Sequence, residues 1–324
     1  MPHSSRLTRR ATILWATAAM AGLAHAQSPS GRPIRIVVPG PAGSAMDALG
    51  RSISAPFGQL TGHPVLIDNL PGAGGTLATA QVARAAPDGL TLEIVSSNHV
   101  VNPSIFKTLP YDTLNDFTPI AVIGVVPIVL VVSPSLAARN VPELIALAKS
   151  KPGELNYGSL GIGTALHLAG ELFGSEAGVD IRHVPYKDAG GLTTDLVSGQ
   201  VQMAYLALPS VSQLIKAGKI RALGVTTVQR SAAIPDVPAL AETLPRYALD
   251  AWIALIGPKG MAPAVVQKYF TDLKASMDDP TVKDALAAQG LVPTLKAPAD
   301  ARAYFVSEME KNAALVKRSG ATPQ

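Results

Sequence analysis

Ile34-Arg35-Ile36-Val37-Val38-Pro39-Gly40-Pro41-Ala42-Gly43-Ser44-Ala45-Met46-Asp47 holds a strand, a turn and a helix start in one line. The aliphatic run Ile34–Val38 reads as a strand, and Pro39-Gly40-Pro41 ends it. Leu49, Ile53, Phe57 and Leu60 then recur at spacings of four, four and three, which is one face of a helix over residues 46–60. Val65-Leu66-Ile67 is the next strand, residues 76–84 read as a helix, and Leu92-Glu93-Ile94-Val95 is a third strand. Strand, helix, strand, helix, strand predicts a parallel α/β unit.

Further along, residues 120–132 form a long apolar stretch. Gly124 and Pro127 interrupt it, so it is expected to divide. A second alternation follows. Helices are expected at 141–149, 165–177, 192–197 and 211–217, and strands at 155–157, 181–184, 202–206 and 221–225. Another strand is expected at 251–256, and the tail reads as helices at 263–276, 281–289 and 298–318. In the last helix Ala301, Phe305, Met309, Ala313 and Val316 mark the buried stripe. The division expected is a first lobe at 27–124, a second at 125–250, and a return to the first at 251–324. A chain that leaves one lobe, builds another and returns makes a hinged cleft.

Residues 1–26 read as a secretory signal, with Arg6, Arg9 and Arg10 before the apolar run 11–23 and Ala24-His25-Ala26 as the cleavage site. The apolar run is too short to span a bilayer. Thr8-Arg9-Arg10-Ala11 resembles a twin-arginine start, which leaves the export route open. The chain has 27 Lys and Arg against 23 Asp and Glu, and the signal holds three of the basic residues and no acidic one. The rest is therefore near neutral at +1, so the charge is no nucleic-acid footprint. With no cysteine, thiol nucleophiles, iron–sulfur clusters and Cys–zinc sites are excluded.

Known catalytic patterns fail on spacing. Gly72-Ala73-Gly74-Gly75 lacks the third glycine of a dinucleotide loop, since Leu77 stands there. It reads either as a tight turn or as a helix start whose N–H groups face a cleft. Ser159 has Tyr157 where a nucleophile elbow needs glycine, so a hydrolase using Ser159 and His167 is a weak alternative. His167 and Glu171 are four apart on one helix face, but no third metal ligand accompanies them, and a packing pair is the better reading. What remains is a set of small-residue loops, each after a strand and before a helix: 43–47, 96–98, 159–164, 187–191 and 208–210. In open α/β sheets ligands sit outside the carboxyl ends of strands, where helix N-termini favour anions. Such loops, with few charges, describe a binding cleft better than an active site. Ser44 and the N–H groups near Asp47 are expected to hold one carboxylate, and Ser159 with the N–H groups of residues 161–164 the far end of the ligand. Ser97 also falls on such a loop. Tyr186 and Tyr205 lie near the cleft, where each suits packing as well as ligand contact.

Several segments, in order, resemble the Bug-type solute-binding proteins, the extracytoplasmic receptors of tripartite tricarboxylate transporters. They are Val38-Pro39 with Gly43-Ser44-Ala45-Met46-Asp47 and Arg51, Asp68-Asn69 with Pro71-Gly72-Ala73-Gly74-Gly75, and Ala86-Pro87-Asp88-Gly89-Leu90-Thr91-Leu92. Pro110-Tyr111-Asp112, Asp116-Phe117-Thr118-Pro119, Leu155-Asn156-Tyr157-Gly158-Ser159, His167-Leu168-Ala169 with Glu171-Leu172, and Val184-Pro185-Tyr186-Lys187 continue the series. Arg221-Ala222-Leu223 and Pro235-Asp236-Val237-Pro238 close it. The resemblance implies a two-lobed type II periplasmic-binding fold that closes on a small ligand, often a carboxylate. It implies no enzyme activity, cofactor or metal, and integral-membrane transporter subunits as partners. Loop 42–47, with Ala42, Gly43, Ser44 and Asp47, maps to the anion loop of the first lobe. Ser159, Gly161, Gly163 and Thr164, with Lys187, Asp188 and Ala189, map to the second. Two positions depart from the family. Ser44 stands in a usual glycine pair, and Asp188 stands where glycine is usual, which would suit an amine or hydroxyl if it faced the cleft. A sensor acting on a signalling partner would need the same cleft.

Overall fold

The computed structural model describes residues 31–318, so the expected signal lies outside the described residues. The first lobe runs β1 (Ile34–Val38), α1 (Ala45–Thr61), β2 (Val65–Asn69), α2 (Thr76–Ala83), β3 (Thr91–Ser96), α3 (Asn98–Ile105) and β4 (Phe117–Val126). The second runs β5 (Ile128–Val132), α4 (Val141–Ser150), β6 (Asn156–Ser159), α5 (Ala165–Ala177), β7 (Arg182–Pro185), α6 (Ala189–Ser198), β8 (Met203–Ala207), α7 (Leu208–Lys216) and β9 (Arg221–Val225). The chain returns through β10 (Ala251–Pro258), α8 (Pro263–Ser276), α9 (Pro280–Ala288), β11 (Val292–Lys296) and α10 (Pro298–Arg318). This is the two-lobed α/β fold expected.

The first sheet has the order β11-β4-β10-β3-β1-β2 and the second β7-β6-β8-β5-β9. In each, parallel strands built by strand–helix crossovers adjoin an antiparallel strand: β10 beside β3, and β5 beside β8. The apolar stretch 120–132 divides at Pro127, whose nitrogen carries no hydrogen for a ladder. It does not divide at Gly124, and β4 therefore runs past the expected 124/125 boundary. Gly124 is needed for another reason: a Cβ there would lie 2.5 Å from the Val292 carbonyl oxygen of the edge strand β11. The sequence pattern missed β11 because Pro293 interrupts it, and an edge strand tolerates that.

Leu49, Ile53 and Phe57 of α1 are buried against the first sheet, whereas Leu60, the fourth member of the expected stripe, is 45% exposed. In α10, Ala301 and Phe305 pack on Trp252, but the stripe then turns away from Ala313, which is exposed. Val316 is buried as expected and, together with Leu315, enters the core of the second lobe beside α5 and the end of α3.

The sheet order fixes where a ligand can sit. The carboxyl ends of β1, β2 and β3 share an edge with the end of β4. Those of β6, β7 and β8 share an edge with the start of β5, where Ile128 pairs with Ala207. Pro127 alone separates β4 from β5, so the two carboxyl edges face each other across the crossover.

Candidate functional site

The first wall begins at β1. Ser44 caps α1 with extended backbone, and its Oγ accepts from the Asp47 N–H at 3.3 Å. Asp47 was expected to meet ligand. Its carboxylate is buried and faces its own loop instead: Oδ2 accepts from Gly43 N–H at 2.8 Å and from Arg51 Nε at 3.0 Å. Arg51 Nη2 lies 3.0 Å from the other oxygen and donates to Asn69 Oδ1 at the end of β2. Asn69 in turn donates to the Gly40 carbonyl at 3.1 Å. The hydrogen bond from Arg51 holds the Asp47 carboxyl below the usual carboxylate range. Asp47 thus shapes the loop, and Gly43 N–H is already used. The donors this leaves for a ligand are the first-turn N–H groups of Ala45 and Met46, which have no helical acceptor, and the Ser44 hydroxyl proton. Ala42 and Gly43 are exposed on the loop surface.

The glycine segment after β2 is a tight turn into α2. Gly74 and Gly75 are left-handed at φ 63° and 94°. A Cβ at Gly75 would lie 3.1 Å from Pro39, so this turn rests on the first loop. Asn102 of α3 donates to the Gly74 carbonyl at 3.1 Å. Ser97 is 5% exposed and donates its N–H to the Trp252 carbonyl, so it is tucked beneath the wall.

The second wall is the loop from Ser159 to Thr164. Ser159 is fully buried and does not face the cleft, which corrects its expected ligand role. Its hydroxyl donates to the Gly161 carbonyl at 3.2 Å and lies 2.7 Å from His183 Nε2. Either atom of the 2.7 Å contact with His183 can be the donor, and the burial of Ser159 keeps its Oγ out of reach of a substrate in the cleft. Thr164 caps α5 and also donates to the Gly161 carbonyl, at 2.8 Å. Gly163 N–H, expected to meet ligand, donates to His167 Nδ1 at 3.2 Å. Nδ1 is therefore unprotonated, and the proton of His167 sits on Nε2, 3.6 Å from Glu171 Oε1. Glu171 also accepts from Tyr157 Oη at 2.5 Å. The rings of His167 and His183 lie 4.2 Å apart. Burial lowers both histidines to about 4 and raises Glu171. The buried His167 and the half-buried Glu171 are a scaffold pair beneath the loop, and among the described residues no group of three His, Asp or Glu could hold a metal.

Lys187 and Asp188 are exposed and Ala189 is half-buried. Asp188 caps α6, with Oδ1 accepting from Gly191 N–H at 2.9 Å. Its charge is thus directed at its own helix, which weakens the case for a ligand amine there. Tyr205 is fully buried, 6.0 Å edge-on to Tyr157, and cannot line the cleft. Tyr186 is half-buried and donates to Asp195. Sequence reasoning missed Asn102 and His183. It could have read Arg51 as a partner of Asp47, since the two are one turn apart on α1.

The result is two facing sets of helix N-termini on glycine-bearing loops, each loop tied down by its own polar groups. Across the five small-residue loops the only basic side chain is Lys187. Such a cleft can hold an anion by main-chain dipoles and a few hydroxyls. No helix among the described residues is long and apolar enough to cross a membrane.

Residues 50–321 match the family profile of the tripartite tricarboxylate transporter family receptor. BugT of Bordetella pertussis is 33% identical over 322 residues, covering 98% of this chain and 99% of that protein. The structure is similar to Rpa4515 of R. palustris with adipate, at TM-score 0.78 and 32% identity, covering 91% of this chain and 99% of that one. It is also similar to MatC of Rhodopseudomonas palustris with bound malate, at TM-score 0.74 and 28% identity over 89% and 99% of the two chains.

Proposed function

This chain belongs to the tripartite tricarboxylate transporter receptor family, and from that premise we propose that it captures a small organic carboxylate in the periplasm and delivers it to the membrane subunits of such a transporter. In this reading residues 1–26 direct export and are removed after Ala26. The first-turn N–H groups of α1 with Ser44 take one carboxylate, and the loop 161–164 closes on the other end. A ligand that touches both walls stabilises the closed arrangement by its greater affinity for it. The observation that carries the reading is the pair of facing, self-braced loops with free helix N-termini and almost no cationic side chains. The similar structures with adipate and with bound malate support a dicarboxylate cargo.

Thermal unfolding of the chain from Gln27 onward, against small carboxylates and their amides, tests this. A cargo at about 100 times its Kd adds about 2.7 kcal/mol, a rise of roughly 5–10 °C. A carboxylate that raises the Tm while its amide does not supports the reading. A flat response to every carboxylate, or an equal response to the amides, refutes it.

A further inference from the structure

We propose that Leu77 and Ile162 select a cargo whose polar ends are joined by a saturated hydrocarbon body; this rests on the receptor reading above. Leu77 is 54% exposed and Ile162 53%, among the few large apolar side chains so exposed in the described residues. Leu77 opens α2 at the carboxyl end of β2, and Ile162 lies in the loop at the carboxyl end of β6, so each lobe contributes one to the facing edges.

Both loops rest on the same support, the end of α3. A Cβ at Gly74 would lie 3.6 Å from the Phe106 ring, and one at Gly163 would lie 3.0 Å from Ile105. The two exposed side chains therefore flank one apolar helix end. Four polar groups close to them already have partners. Ser159 and Thr164 both donate to Gly161, Gly163 donates to His167, and Asn102 donates to Gly74. A hydroxyl on the middle of a ligand would lose water and find few partners there. Methylene groups would lose nothing and would cover leucine and isoleucine that water otherwise wets.

Calorimetric titration of the chain from Gln27 onward with straight-chain dicarboxylates, succinate through suberate, reads this directly, with malate and tartrate as hydroxylated counterparts of succinate. Affinity is expected to climb about fourfold per added methylene until the cleft is filled. Succinate should bind more tightly than malate or tartrate. Leu77→Ser and Ile162→Ser should each weaken the tightest long-chain ligand about fivefold and leave succinate nearly unchanged, with the Tm of the free protein unmoved because both side chains are exposed. Tighter binding of the hydroxylated acids, or an unaltered chain-length series in both serine variants, overturns the selection while carboxylate capture stands. If none of these acids binds, the selection is overturned, and the thermal-unfolding panel of carboxylates and amides decides the receptor reading separately.

Discussion

Acid should loosen the second wall, and His167 should be the reason. Its Nδ1 accepts the Gly163 N–H, so it must stay bare. Burial lowers the imidazole from 6.5 to about 4. The folded state therefore refuses a proton that the unfolded chain accepts once the pH drops below 6.5. The stability His167 contributes is complete above that point and is lost as pH falls towards about 4. At about 1.4 kcal/mol per pH unit, the loss is on the order of 3 kcal/mol. Below that range Nδ1–H and the Gly163 N–H are two donors facing each other, and the loop must move. Glu171, raised by burial, is losing its own charge and makes a poor counter-ion. His183, 4.2 Å away and also lowered to about 4, shares the transition, so the pair titrates together. His167→Asn offers an oxygen near the position of Nδ1 without a titrating ring. Urea unfolding at pH 7.5 and pH 4.5 compares the two proteins. The wild type should lose more stability between these conditions by roughly 2 kcal/mol, and its affinity for a bound carboxylate should fall more steeply with acid. Equal pH slopes in the two proteins would refute the argument.

Other outcomes follow from the same geometry. Glu93 is fully buried on β3, takes one hydrogen bond from Thr79, and is raised by burial to about 8 from 4.5, so its contribution is lost as pH climbs through that interval. Glu93→Gln should therefore gain stability relative to wild type at pH 8, by a few kcal/mol, and little at pH 4.5, read by chemical unfolding at both. Asp47→Asn removes the charge that holds Gly43 and Arg51, and should weaken carboxylate binding roughly tenfold in a calorimetric titration while the protein remains folded by circular dichroism. Gly163→Ala places a Cβ 3.0 Å from Ile105 at φ 78°, which should cost about 1–2 kcal/mol and appear as a lowered Tm in scanning calorimetry.

The lobes were legible because their signals are local. The strand–turn–helix stretch at 34–47 and its counterpart at 156–167 carry their own punctuation, and proline at 127 marks the crossover. The loops were legible for the same reason. What their side chains touch was not. Both sheets are covered on two faces, so alternation along β6 and β8 does not say that Ser159 and Tyr205 are sealed in. The partnership of His183 with Ser159 depends on β6 pairing with β7, a contact between residues far apart in sequence. Polar residues at the loops looked available to a ligand, yet Asp47, Ser159 and Gly163 N–H are held by the protein itself. Helix α3 carries Pro103 inside it and gave little periodic signal, although its end supports both walls.

Helix α10 has a mechanical consequence. Two strands of chain, at Pro127 and just before Ala251, would by themselves let the lobes swivel about a line. Leu315 and Val316, planted in the core of the opposite lobe beside the second crossover, add a further anchorage. Any swing must flex the helix or draw those two side chains from their seat. If the lobes close on a carboxylate as proposed, part of the work done by the arriving ligand would be stored as elastic load in that helix, and the same load would favour reopening once the ligand departs.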